Sequence, residues 1–227
     1  MPDTYMVAGA ASGVGMHVTR KLLDRGENVR AFVRNGRKLR EIFGTPDNLG
    51  IFVGDIADHA AAFEAAEGAH YVISTVGAKF PDGEPERVDY QGVHTLVNAA
   101  AEHGHIRQFV LVSSIGVTQG DHDLNARFKN VLRWKMFGEN YLRGSGLSYA
   151  IVRPGGLSDD AGGTKSIELG QGDNIHGSIS RETVADVCIA VCDAAAHVVR
   201  EVTFEVIEGD GPPPANLENI FDNLKRD

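Results

Sequence analysis

The stretch from residue 4 to residue 34, TYMVAGAASGVGMHVTRKLLDRGENVRAFVR, decides the fold. An apolar run at Tyr5–Ala8 predicts a strand, and a glycine-rich turn follows at Gly9–Gly15. Apolar residues then recur at helical spacing up to Gly26, and a second predicted strand covers Val29–Val33. This order is typical of a βαβ unit that binds a dinucleotide. Glycines let the backbone approach a pyrophosphate, and the helix start supplies free N–H groups and a positive dipole end.

The glycines of the turn have the spacing GxxxGxG, at Gly9, Gly13 and Gly15. Glycines also form ordinary turns, so the spacing alone is a weak signal. Its position between a predicted strand and a predicted helix favours a phosphate cradle over a plain turn.

A basic cluster follows the second predicted strand. NAD-specific sites usually place Asp or Glu about 20 residues after the glycine turn, where it accepts from the ribose 2′-OH. This chain has Arg34 there, followed by Arg37, Lys38 and Arg40. A guanidinium pairs with a 2′-phosphate that a carboxylate would repel. The sequence therefore predicts that NADP(H) is preferred over NAD(H), with a solvated basic helix start as the alternative.

Composition restricts the class of protein. A chain of 227 residues with 42% apolar residues can form one domain, residues 1–227. Its net charge of −9 argues against nucleic acid as a partner. No apolar run approaches the length of a membrane span, and the first predicted strand leaves no room for a secretion signal. We therefore predict a small-molecule substrate and no membrane partner; monomer and homodimer both stay open.

Two cysteines, Cys188 and Cys192, lie four residues apart, on one face of a predicted helix. This pattern suits neither a disulfide nor a metal site, and no metal site is predicted anywhere. We interpret both as small core residues of a reduced, cytoplasmic protein.

Short apolar runs alternate with helical patterns along the whole chain. The predicted strands are 5–8, 29–33, 49–53, 71–75, 109–112, 147–152 and 202–207, and the main predicted helices are 57–66, 86–103, 128–143 and 182–196. The alternation predicts a single-domain α/β fold, a Rossmann-like doubly wound parallel sheet. Residues 155–180, rich in Gly, Asp and Ser, are expected to form a substrate-side loop.

Several motifs occur in a fixed order: 9–15, 33–35 (VRN), 54–56 (GDI), 73–77 (ISTVG), 88–92 (VDYQG), 109–114 (FVLVSS), 134–135 (WK), 145–147 (SGL), 153–157 (RPGGL) and 180–181 (SR). In these motifs the chain resembles the atypical NAD(P)H-binding branch of the short-chain dehydrogenase/reductase superfamily. That branch includes NmrA-like proteins and the biliverdin reductase B type.

The resemblance implies roles for residues at matching positions. Arg34 would take the 2′-phosphate, Asp55 the adenine amino group and Lys135 the nicotinamide ribose. Ser113 and Ser114 would line the reaction centre, so these two and Lys135 are the implied catalytic residues. The implied cofactor-binding residues are Gly9, Ala11, Ser12, Gly13, Val14, Gly15, Arg34, Asp55, Ile56, Thr75, Val76, Gly77, Ser113, Lys135, Pro154, Gly155 and Leu157.

Simpler interpretations stand beside these roles. Lys135 and Glu139, at i,i+4 spacing, could form a surface ion pair. Asp55 could cap the following helix. Ser113 and Ser114 could be plain strand-end hydroxyls.

The chain departs from the pattern of this superfamily at Val131. Catalytic members carry Tyr-x-x-x-Lys, and the position four before Lys135 is valine. Hydride transfer belongs to the cofactor, so we predict an NAD(P)H-dependent oxidoreductase acting on a small conjugated or carbonyl compound of the flavin, quinone or ketone type. The alternative is an NmrA-like regulatory protein that senses NADP(H) without turnover.

Overall fold

The computed structural model describes residues 1–227, apart from the side chain at position 196. The strands are β1 Thr4–Ala8, β2 Asn28–Val33, β3 Leu49–Val53, β4 Tyr71–Ser74, β5 Gln108–Val112, β6 Tyr149–Pro154, β7 Gly156–Ser158, β8 Ile167–Gly170, β9 Ser178–Ser180 and β10 Val202–Glu208. The helices are α1 Gly13–Asp24, α2 Gly36–Phe43, α3 His59–Ala66, α4 Gly92–His103, α5 Asp123–Arg127, α6 Val131–Arg143, α7 Arg181–Asp193 and α8 Ala196–Val199. A π-helical turn, Glu86–Gln91, precedes α4, and a 3₁₀ turn covers Glu218–Phe221.

One eight-stranded sheet organises the domain, in the order β3-β2-β1-β4-β5-β6-β10-β8. All its neighbouring pairs are parallel except β10 with β8. A separate two-stranded parallel sheet joins β7 and β9. The predicted Rossmann-like doubly wound sheet is thus confirmed. The strand order reverses between β1 and β4, which is where such sheets bind ligands.

Apolar side chains fill both faces of this sheet. Strands β5 and β6 are buried at every residue, as central parallel strands require. One core lies under α1 and α7, the other under α3, α4 and α6. Cys188 and Cys192 lie on α7 in the first core as free, buried thiols, which confirms their predicted packing role. None of the helices described here has both the length and the apolar character needed to cross a bilayer.

Several boundaries differ from the sequence-based elements: the predicted strand 147–152 is observed as Tyr149–Pro154, the predicted helix 182–196 ends at Asp193, and the predicted helix 86–103 begins with the π-helical turn. Two differences are larger. The predicted loop at 155–180 contains three short strands, β7, β8 and β9. The predicted helix 128–143 begins only at Val131, because Lys129 and Asn130 have φ values of 45° and 58°. Left-handed residues interrupt the hydrogen bonding of an α-helix, and asparagine tolerates this conformation better than most residues.

Candidate functional site

A cavity of about 670 Å³ opens at the carboxyl ends of β1 to β4. It lies at the reversal of strand order, and nine residues of the predicted cofactor set line it. They are Gly9, Ala11, Ser12, Arg34, Asp55, Ile56, Thr75, Val76 and Gly77. Tertiary structure therefore brings residues from four strand ends into one cavity.

Two glycines of the turn, Gly9 and Gly15, have no room for a side chain. Gly9 has a φ of +88°, and a Cβ atom built on it would lie 2.7 Å from the Thr75 hydroxyl oxygen. A Cβ on Gly15 would lie 2.5 Å from the carbonyl oxygen of Gly9. Thr75 is itself fixed, because its hydroxyl donates to the carbonyl of Ala8 at 2.9 Å. Glycine is thus required at both positions for steric reasons.

The start of α1 presents free hydrogen-bond donors. The backbone N–H groups of Gly13, Val14 and Gly15 donate to no backbone carbonyl among the residues described, and the Ser12 hydroxyl makes no capping bond. Unsatisfied N–H groups at the positive end of a helix dipole bind phosphate groups. The turn therefore fits a dinucleotide pyrophosphate.

The charge of the cavity wall is opposite to that of the whole chain. Five cationic side chains line it: Arg34, Lys38, Lys79, Arg87 and Lys129. Three carboxylates also line it: Asp55, Asp82 and Glu84. The chain carries a formal charge of −9, so this local excess of positive charge is opposite in sign to the net charge of the protein. Such a wall favours an anionic ligand.

Arg87 lies on this wall and contacts Asp55. No motif in the sequence indicates a role for Arg87. Its Nη2 atom donates to Asp55 Oδ1 at 2.9 Å, and the Ala57 N–H donates to the same oxygen at 2.9 Å. The Ala57 N–H, followed by the Arg87 guanidinium, lowers the pKa of the Asp55 carboxyl although partial burial opposes this. Asp58 caps α3 through its own side chain, which leaves Asp55 facing the cavity.

Lys135 lies beside the end of β4. Its Nζ atom is 2.7 Å from Oδ1 of the buried Asp89, and it would be 3.6 Å from a Cβ built on Gly77. The other oxygen of Asp89 accepts from the Ala78 N–H at 3.1 Å. Asp89 thus fixes both the lysine and the chain after β4. The alternative of a surface pair between Lys135 and Glu139 is wrong.

Glu139 is instead fully buried, in a network with the end of β5. Ser113 Oγ donates to its Oε1 at 2.6 Å. Arg153 donates to both of its oxygens, at 3.0 and 2.6 Å, and Arg143 donates at 3.0 Å. These four donors match the capacity of one carboxylate, so the Ser113 proton points toward Glu139. The Ser114 hydroxyl donates to the carbonyl of Ile115 at 2.9 Å.

The remaining predicted residues follow the next strands of the sheet. Pro154 ends β6, the Gly155 N–H donates to the carbonyl of Val206, and Leu157 is 40% exposed in β7. They lie outside the walls of the cavity, on the side of β5 and β6. Val131 is buried in a small apolar cluster with Phe128 and Leu132.

Comparison with known proteins agrees with this geometry. The model of a family described as NAD(P)H-binding matches residues 9–195. Sanguinarine reductase of Eschscholzia californica is 28% identical, over 97% of this chain and 96% of its own. A chloroplastic protein of Arabidopsis thaliana is 32% identical, over 97% of this chain and 75% of its own. Since relatives include chloroplastic proteins, the cytoplasmic location stays a prediction.

Solved structures of similar fold include two with 27% sequence identity. A putative NAD-dependent epimerase/dehydratase from Bacillus halodurans superposes with a TM-score of 0.81, covering 98% of this chain and all of the other. ChuY, an anaerobillin reductase from Escherichia coli, superposes with a TM-score of 0.76, covering 93% of this chain and all of its own. The glycine cradle, the cavity and the extent of these matches together show that the chain belongs to the NAD(P)H-binding family.

Proposed function

We propose that the protein is an NADP(H)-dependent reductase that transfers hydride to a small conjugated or carbonyl compound of the flavin, quinone or ketone type. The observation that carries this proposal is the cavity lined by Gly9, Ser12 and Arg34, next to the free N–H groups at the start of α1. Sanguinarine reductase and ChuY, both reductases by name, support the reaction class.

In this proposal, residues of the cavity and of the neighbouring strand ends each bind a different part of the cofactor. The turn at 9–15 binds the pyrophosphate, Arg34 the 2′-phosphate, and Asp55 the adenine amino group. Ile56, Thr75, Val76 and Gly77 border the adenosine. Lys135, positioned by Asp89, bonds the nicotinamide ribose. Pro154, Gly155 and Leu157 border the nicotinamide. When bound, the cofactor supplies the hydride.

The sequence leaves the proton source open among Ser113, Ser114, a histidine and water, and in this proposal it is water. Ser113 and Ser114 both donate their hydroxyl protons to protein oxygens. The side chain of Val131 has no proton to donate. The two serines therefore act as acceptors that position a ligand, and water supplies the proton. Conjugated substrates such as flavins and quinones suit this arrangement, because they need little acid assistance during hydride addition.

A second candidate function is NADP(H) sensing without turnover. The buried Val131 favours it, because no phenol stands in the position where related enzymes carry their acid. This candidate shares the cofactor site of the reductase and differs from it only in catalysis.

The test begins with titration of the protein with NADPH and NADH, with Arg34→Glu beside a matched variant, Arg200→Glu. Arg200 is exposed and forms an ion pair with its neighbour Glu201. Loss of a charge-assisted phosphate contact should weaken NADPH binding by about tenfold or more in Arg34→Glu and leave NADH binding nearly unchanged. An Arg34→Glu protein that retains its NADPH preference would refute the assignment.

Turnover is then followed at 340 nm with a flavin, a quinone and an aldehyde. NADPH oxidation with any of these acceptors supports the reductase. Tight NADPH binding without oxidation across the panel supports the sensing function, and absence of binding contradicts both.

A further inference from the structure

Arg181 lies against the glycine turn, although it is far from the turn in sequence. A Cβ atom built on Gly13 would be 3.9 Å from both Cδ and Nε of Arg181. Apart from the chain neighbours of Gly13, no other described side chain comes within 4 Å of that position. The Arg181 side chain therefore lies beside Gly13, the first residue of α1, and so close to the N–H groups that have no backbone partner.

Packing of α7 on α1 holds Arg181 in this place. Arg181 is the first residue of α7, and Ser180 caps that helix by accepting from the Thr183 N–H at 3.0 Å. Lys21 of α1 contacts Glu182 at 3.1 Å and Asp186 at 3.0 Å. The last turn of α1 is thereby joined to the first half of α7, so the fold holds α7, and Arg181 with it, against α1.

Arg181 forms an ion pair with Asp159 in this structure, and this pair contributes little stability. Its Nη1 atom donates to Asp159 Oδ1 at 2.8 Å, and the side chain of Asp159 is 86% exposed while that of Arg181 is 29% exposed. Exposed ion pairs contribute about 0–1 kcal/mol. A guanidinium bound to phosphate oxygens forms stronger, bidentate hydrogen bonds.

We propose that Arg181 binds the cofactor pyrophosphate and that its ion pair with Asp159 breaks when the cofactor binds. The inference rests on the proposed function only in that NADP(H) occupies the glycine turn. Asp159 is then a competitor for the guanidinium, carried on the chain after β7. That chain is attached to the first turn of α7 by two further bonds, from the Gly162 N–H to Glu182 and from the Gly163 N–H to Thr183.

Substitution of Arg181 and substitution of Asp159 should change the affinity for NADP(H) in opposite directions. Arg181→Ala should weaken both NADPH and NADH by about tenfold or more, because the pyrophosphate is common to both. Arg181→Lys should lose less, since it keeps the charge. Asp159→Asn should tighten binding by up to about fivefold, the value of one exposed ion pair. Arg200→Ala is the matched control and should bind as the wild type does.

The measurement is isothermal titration of each variant with NADPH, NADH and 2′-AMP, a probe that has a 2′-phosphate and no pyrophosphate. Arg34→Ala should weaken 2′-AMP binding, and Arg181→Ala should leave it unchanged. If the wild type binds no NADP(H), the proposed function fails and the inference with it.

If the wild type binds and Arg181→Ala binds NADPH equally well, the inference alone is overturned. Should Arg181→Ala fail to fold, Asp159→Asn decides, because unchanged or weaker NADPH binding in that variant contradicts the competition.

Discussion

Replacing Glu139 by glutamine tests whether the buried charge network supports the fold at the end of β5. The substitution keeps the volume, so packing is preserved and only the hydrogen bonding changes. The carboxylate accepts from Ser113, Arg143 and, twice, from Arg153. An amide offers one acceptor oxygen and turns its NH₂ group toward a guanidinium. Arg153, only 5% exposed, would lose its main anionic partner.

Breaking a buried pair on one side costs about 3–5 kcal/mol, a large part of the 5–15 kcal/mol that typically stabilises a domain. At about 2–4 °C per kcal/mol for a chain of this size, Tm should fall by about 6–20 °C. Urea and thermal unfolding would measure both quantities. Glu102→Gln is the control: that glutamate is 53% exposed and contacts His59, so its loss should cost less than about 1 kcal/mol.

A double-mutant cycle of Glu139→Gln and Arg153→Met provides a second test of the buried charge network. Arg153 contacts both Glu139 and the buried Glu205. Because Glu139→Gln already removes one of these two contacts, Arg153→Met should cost less in that variant than in the wild type, so the double variant should be less destabilised than the sum of the single variants. An unfolding free energy of Glu139→Gln within 1 kcal/mol of that of Glu102→Gln, or strict additivity in the cycle, would refute the reasoning.

Three further predictions concern single groups. Gly15→Ala places a methyl against the Gly9 carbonyl, so NADPH affinity should fall by about tenfold or more, whereas Gly120→Ala, which has open space around it, should bind normally; equal affinities would contradict the cradle. Burial opposes ionisation of Asp173, but hydrogen bonds from Thr118 and Gly116 lower its pKa below the ordinary value. Its stabilisation is therefore present above about pH 3.9 and lost as pH falls through the lowered pKa; urea unfolding between pH 2 and 6 should show a shallower acid loss for Asp173→Asn, and identical curves would count against this. Burial raises the pKa of the Cys188 thiol to about 12, so Ellman's reagent should detect no thiol at pH 8 until denaturant is added; rapid labelling of the native protein would exclude that packing.

The local sequence carries most of the fold and the outline of the cradle. Strand and helix periodicity identified the parallel sheet because buried parallel strands are continuous apolar runs. The glycine turn and Arg34 could be placed in one cavity from the sequence, because both follow strands of the same βαβ unit and the carboxyl ends of neighbouring parallel strands lie together. The short strands β7, β8 and β9 were missed, because few apolar residues mark them and their pairing is made by distant segments.

Only the tertiary structure decided the partners of the charged side chains. In sequence, Lys135 and Glu139 were a plausible i,i+4 pair; in the fold, Lys135 contacts Asp89 and Glu139 contacts Arg153. Packing of the π-helical turn likewise placed Arg87 on the cavity wall, and packing of α7 placed Arg181 beside Gly13. Local propensity depends on neighbours within a few residues. The partner of a buried charge depends on which distant elements share the same space, and short-range patterns hold no information about that.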